Sequence, residues 1–143
     1  MDTENDKSII QFTDPELIES IFLVNGDFDI NKSKAKKQNM SIKPVVETPH
    51  DSNDEKRETV ISLSVTNFDE IKFEKSTPYL IRVTMKATFK WEKGLTDEEE
   101  NNLLNVNAAS LLLSYIRPLV SQLTGMSRFN TQSIPFIDFT TGI

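Results

Sequence analysis

The chain has 143 residues, enough for one domain with a modest core. It has no cysteine, one histidine, 37% hydrophobic residues and a net charge of −6. That excludes disulfides, thiolate metal sites and cysteine nucleophiles, and it disfavours nucleic-acid binding, which needs clustered Lys and Arg. Basic or unfolded polypeptides are more natural partners for an acidic chain. His50 sits in a run of turn residues at 48–54 and is expected to be a solvated loop residue, not a ligand or a base. No uninterrupted apolar stretch approaches the ~18 residues of a membrane span, and the N-terminus lacks the apolar core of a secretory signal. A cytoplasmic protein without a cofactor or membrane insertion is therefore expected.

Taken in chain order, residues 1–17 are expected to be a flexible N-terminal segment ahead of a single domain over 18–143, and Asp14-Pro15-Glu16 fits the start of a short helical turn. A first strand is expected over 18–30, with Ser20, Phe22, Val24, Gly26, Phe28 and Ile30 on one face. Asn25, Asp27 and Asp29 lie on the other. The lysine-rich stretch 31–39 reads as a solvated loop. A second strand over 40–48 puts Met40, Ile42 and Val46 on one face, and Pro44 assigns it to a sheet edge or a bulge. Residues 49–55 form an acidic, turn-rich linker.

A third strand over 58–68 alternates Ile61, Leu63 and Val65 with Ser62, Ser64 and Thr66. The fourth, over 79–91, alternates most cleanly: Tyr79, Ile81, Val83, Met85, Ala87, Phe89 and Trp91 face one way. Arg82, Thr84, Lys86, Thr88 and Lys90 face the other, with Leu80 the exception. One buried and one wet face mark an antiparallel sheet covered on one side. Gly94 ends this strand, and Thr96 with Glu99 fits a capping box for a short helix over 97–104. Residues 105–107 are expected to break it.

The main helix is expected over 108–124. On a helical wheel, Ala108, Leu111, Leu112, Leu113, Tyr115, Ile116, Leu119, Val120 and Leu123 span roughly 200°, against an ordinary apolar stripe of ~100°. One sheet cannot cover that arc, so burial on two sides is expected, the second against another copy of the chain. Ser110, Ser114, Arg117 and Ser121 occupy the narrow remaining face, where small side chains allow close approach, and are assigned to an oligomer interface. Pro118 is expected to kink the helix and Gly125 to stop it.

This order, four strands, a crossover, a long helix and a Pro-containing extended tail, resembles the SecB family of export chaperones over about residues 20–139. The resemblance is carried by Glu19-Ser20-Ile21-Phe22 with Phe28-Asp29, by residues 58–65, and above all by Tyr115-Ile116-Arg117-Pro118-Leu119-Val120-Ser121. Ile134-Pro135-Phe136 and Phe139 follow that block. It implies an α+β fold: a four-stranded antiparallel sheet covered on one face by a long C-terminal helix, assembled as a dimer of dimers. It also implies a holdase that binds unfolded polypeptides in apolar grooves without nucleotide or metal and passes them to the SecA motor. A client groove would fall on Met40, Ile42, Val46 and Trp91, and a SecA-docking face on Asp29 and Leu80. Asn25 stands where that face expects an acid, and Arg82 reverses another expected charge. The second C-terminal helix usual in the family does not follow Phe139 in this sequence, and residues 97–107 replace its glycine-rich crossover.

Three functions fit: an export holdase, a SecB-like chaperone dedicated to one partner such as an antitoxin, and a self-assembling adaptor that has lost client binding. An enzyme is disfavoured. A lone loop histidine offers no obvious base, and Asp27 and Asp29, two apart on one strand face, read as a solvated patch.

Overall fold

The computed structural model describes residues 10–29, 38–135 and 139. The strands are β1 (Ile10–Phe12), β2 (Glu16–Val24), β3 (Ser41–Val46), β4 (His50–Asp51), β5 (Lys56–Thr66) and β6 (Tyr79–Glu92). Two helices follow, α1 (Asp97–Asn102) and α2 (Ala109–Gly125), joined by a π-helical turn, Leu103–Ala108. All strand pairs are antiparallel.

The sheet has six strands, where the sequence pattern suggests four, but it is four rows wide. β5 and β6 fill the centre, β1 and β2 lie end to end along β6, and β3 and β4 lie end to end along β5. The expected first and second strands are thus real rows, each broken in two. The first break is at Pro15, which has no N–H for the ladder. Just before it, the Thr13 N–H donates to the Thr88 carbonyl at 3.0 Å, and the Thr88 N–H donates to the Thr13 hydroxyl at 3.1 Å. The second break is at Pro49. Pro15 therefore separates two strands and starts no helical turn, and β1 lies inside the segment 1–17 in which no strand was expected. Pro44 lies on an edge strand, opposite Leu63, as its missing donor requires.

The first strand is shorter than its alternation suggests, ending at Val24. Asn25 takes over as a turn residue. Its amide donates to the carbonyls of Thr77 (2.8 Å) and Glu74 (3.3 Å), while its side-chain oxygen accepts from the Asp27 N–H (3.1 Å). Phe28 then enters the core below Phe129, with ring centroids 5.6 Å apart.

The inner sheet face carries Ile61, Leu63 and Val65 of β5 and alternate residues of β6 from Tyr79 to Trp91, all buried. α2 packs on β5 and β6 through Ala109, Leu112, Leu113, Ile116 and Val120. The capping box forms as the sequence implies: Thr96 accepts from the Glu99 N–H, and Glu99 accepts from the Thr96 N–H, each at 3.1 Å. The expected break at 105–107 does not form. A π-helical turn carries the chain through without interruption, and its wider winding lets Leu103, Leu104 and Ala108 all reach the core. The continuous helix of 29 residues is long and apolar enough by composition to cross a bilayer. Here part of its apolar surface, from Ala109 to Val120, is packed on the sheet.

α2 runs unbroken through Pro118, which lies on its exposed side, where solvent can satisfy the carbonyl left without a partner. One further expectation is corrected. Gly125 is not a left-handed stop. The helix includes it and ends at Met126 in a right-handed conformation, and a Cβ on Gly125 would come within 3.2 Å of the Thr131 hydroxyl. A larger side chain there would ask the Thr131 hydroxyl to give by a few tenths of an ångström.

Candidate functional site: the two flanks of the long helix

A single helix over a four-row sheet covers the central rows and leaves a flank towards each edge. On the β3 side the chain fills the flank itself. After α2, Phe129 packs on Phe28 and Tyr79, and Arg128 donates to the Phe28 carbonyl at 2.9 Å. The tail then returns antiparallel to α2. The Gln132 N–H donates to the Thr124 hydroxyl (2.8 Å), the Ser121 hydroxyl to the Gln132 carbonyl (3.3 Å), and Arg117 Nε to the Ile134 carbonyl (2.8 Å). Gln132 also accepts from the Gln38 N–H, 3.4 Å away, just ahead of β3. Ile134 and Phe139 are buried in the main core. The 136–138 part of the tail lies outside the described residues.

On the β1/β2 side no segment among the described residues fills the flank. Register places Phe12 opposite Phe89, Leu17 opposite Met85, Phe22 opposite Ile81 and Val24 opposite Tyr79, all on the helix-covered face. Yet Phe12, Leu17 and Val24 are exposed, Leu17 by 52%. The helix side of this flank carries the half-buried Leu119 and Leu123, with Tyr115 41% and Met126 71% exposed. The outer edge of β2 pairs with no strand among the described residues. Several exposed apolar side chains on the helix-covered face beside an unpaired strand edge are a marked feature.

These flanks relocate the residues singled out from sequence. Ser110 and Ser114 are exposed on α2, but Arg117 and Ser121 bind the tail of their own chain, so half of the expected oligomer face is already occupied. Met40, Ile42 and Val46 are half-buried on the inner face, packed against the core on the filled flank. Trp91 does not line an open groove. It is 2% exposed, and its indole N–H donates to Glu100 at 2.9 Å. Glu100 in turn receives Arg57 at 3.0 Å, and Arg57 also reaches Asp51 at 2.9 Å. This cluster clasps α1 to the end of the sheet, because α1 buries no residue of its own. Glu100 raises the pKa of Arg57 further, and Lys93 and Arg57 hold the Asp51 carboxyl below its usual range. The side-chain partners of Trp91 and Arg117 lie 9 and 17 residues away, beyond the reach of periodicity.

The outer face of the sheet corrects the docking pattern as well. Asp29 is exposed, but Leu80 is only 2% exposed and lines a hollow of about 380 Å³ with Phe68, Asn67 and Asp69. Arg82 lies over the Phe68 ring, 4.3 Å from its centre, and donates to the Phe68 carbonyl at 3.2 Å. An acid at position 25 could not make the two donations that Asn25 makes. Asn25, Leu80 and Arg82 therefore serve the fold, while Asp29 stays exposed.

His50 is exposed on β4, with Nε2 3.3 Å from Glu58. Among the described residues no three His, Asp or Glu side chains converge as a metal site would require.

No protein-family model matches the chain, and no curated protein matches it. Solved structures do. The SecB-like chaperone of Mycobacterium tuberculosis, in complex with a ChAD peptide from an antitoxin, matches at a TM-score of 0.51 and 19% identity. That match covers 90% of each chain. A protein of unknown function from Streptococcus agalactiae matches at a TM-score of 0.53 and 12% identity, over 89% of this chain and 97% of that one. An antiparallel sheet backed by one long C-terminal helix, matched over nine-tenths of both chains, gives this protein a SecB-like fold.

Proposed function

We propose that the protein is a SecB-like cytoplasmic chaperone that holds unfolded polypeptide segments and works as a homo-oligomer. The observation that carries this reading is the open β1/β2 flank. An apolar surface running from Phe12 through Leu17 to Val24, faced by Tyr115 and Met126, is costly to leave in water. A second copy is the economical cover, because a twofold pairing would bring the open edge of β2 and the apolar side of α2 against the same surfaces of its partner. The helix thus remains a candidate interface, through Tyr115 and Leu119 more than through Arg117 and Ser121.

A second reading has its own support. The M. tuberculosis structure of the same fold holds an antitoxin peptide. With Leu80 covered and Asn25 and Arg82 engaged in the fold, a chaperone dedicated to one partner, independent of SecA, fits this chain better than an export chaperone.

Size-exclusion with light scattering tests both parts. The native chain should run as a dimer or tetramer, and a permanently unfolded client, reduced and carboxymethylated α-lactalbumin, should co-elute with it. A monomer would overturn the interface. An oligomer that ignores the client would overturn the general holdase and leave the dedicated-partner reading.

A further inference from the structure

We propose that the Asn25-Gly26 step is a site of spontaneous modification, at which Asn25 deamidates through its own main chain and the fold sets the pace. It is the only Asn-Gly step in the sequence. The reaction needs water and no enzyme. The deprotonated Gly26 nitrogen attacks the side-chain carbonyl carbon of Asn25, the bond from that carbon to Nδ2 breaks, and ammonia leaves with the proton. Water then opens the resulting succinimide at either carbonyl, giving aspartate or isoaspartate and a new negative charge.

The turn after β2 supplies an accessible nucleophile and a polarised carbonyl. Asn25 is buried, but Gly26 is exposed, and its N–H has no acceptor among the described residues. The Asp27 N–H donates to Asn25 Oδ1 at 3.1 Å, where negative charge develops as the nitrogen adds. Nothing in the fold asks for glycine at 26. Gly26 does not have a positive φ, and a Cβ on it would meet nothing within 4 Å. Glycine does leave the attacking nitrogen less hindered than any other residue would.

A restraint opposes the reaction. Asn25 Nδ2 donates to the carbonyls of Thr77 at 2.8 Å and Glu74 at 3.3 Å, which ties the side chain to residues 67–78 between β5 and β6. Nδ2 must give up both acceptors to depart as ammonia, so conversion waits on a local opening. Asn25 is also a junction of main chain. Its N–H donates to the Pro78 carbonyl at 2.9 Å, and its carbonyl accepts from the Phe28 N–H and from Arg128, each at 3.2 Å. Aspartate at this position keeps those bonds but loses both side-chain donations and sets a carboxylate against two carbonyls. Isoaspartate reroutes the main chain through the side-chain carbon and breaks the junction itself. Either product loosens the end of β2 from residues 67–78.

The test compares the folded protein with the chain held in guanidinium, in the same mildly alkaline buffer, and follows each asparagine by peptide mapping with mass spectrometry. Asn25 should convert faster than any other asparagine in guanidinium. In the folded protein it should convert about tenfold more slowly than in guanidinium, since releasing two hydrogen bonds costs a factor of about that size. Gly26→Ala should melt as the parent does and lose most of the conversion at Asn25 under both conditions. The converted protein, separated by anion exchange, should melt about 4 °C lower than the parent. No conversion of Asn25 in the folded protein, after the chain in guanidinium has converted fully, would overturn the site. Equal rates under the two conditions would overturn the restraint, and undiminished conversion in Gly26→Ala would overturn the main-chain attack. Unchanged melting of the converted protein would overturn the junction.

Discussion

The two flanks of α2 begin alike and end differently. Both are apolar strips between one helix and an outer row of the same sheet, and both exceed what a single helix can cover. The β3 flank is closed by the chain's own tail, through Ile134, Phe139 and three bonds from helix side chains. The β1/β2 flank is left to solvent, with Phe12, Leu17 and Val24 exposed. The contrast shows that excess apolar surface on a helix does not by itself specify a partner. Intramolecular cover and self-association compete for it, and the path of the returning chain serves the β3 flank.

Changes to the floor shared by both flanks should have the largest effect. Ile116→Ala removes a fully buried side chain between helix and sheet. It should cost about 2–5 kcal/mol in urea or guanidinium denaturation, whichever flank is covered. A cost under about 1 kcal/mol would mean that α2 is not seated on the sheet as described. Glu100→Gln weakens the clasp that positions the start of the helix, leaving Asp51 as the charged partner of Arg57. It should cost about 1–3 kcal/mol and shift Trp91 fluorescence as the charged acceptor of the indole becomes a neutral one.

The sharpest separation of the flanks comes from a charge on each. Tyr115→Glu on the open flank should dissociate the oligomer in sedimentation velocity while changing monomer stability by no more than ~0.5 kcal/mol. Ile134→Asp on the closed flank should leave the native mass unchanged and lower the melting temperature, because it buries a charge. The reverse pattern would exchange the roles assigned to the flanks.

Gly125→Ala should have a smaller effect. Helix propensity favours alanine by about 1 kcal/mol, and the 3.2 Å approach to Thr131 opposes it. Net stability should hardly move, while amide exchange at Gln132 speeds up as the tail is displaced. The smallest effect is electrostatic. Lys93 and Arg57 lower the Asp51 pKa, so the stabilisation it provides is complete above the ordinary carboxylate range. It is lost as pH falls through the depressed value. Asp51→Asn should flatten the acid limb of the melting-temperature profile slightly and leave it unchanged near neutrality.

Much of this molecule was legible in local pattern. Alternation over 79–91 located β6 almost residue for residue, because an antiparallel strand with one wet face writes its period directly into sequence. The Thr96–Glu99 capping box and the edge position of Pro44 followed from single-residue hydrogen-bonding chemistry. The π-helical turn was not legible. Asn105 and Asn107 look like a break, and only burial of Leu103, Leu104 and Ala108 against the sheet makes a wider winding worthwhile. Gly125 misled in the same way, since a glycine inside a helix end looks identical to one needed for a left-handed cap.

Sequence alone determined the sheet with one buried face, the long helix and its surplus of apolar surface, because periodicity and composition are properties of neighbours along the chain. Tertiary structure alone decided which surplus was covered and by what. Arg117 meets Ile134, Trp91 meets Glu100 and Asn25 meets Thr77 across 17, 9 and 52 residues of chain. Such pairings depend on where the returning chain is led, which no local period records.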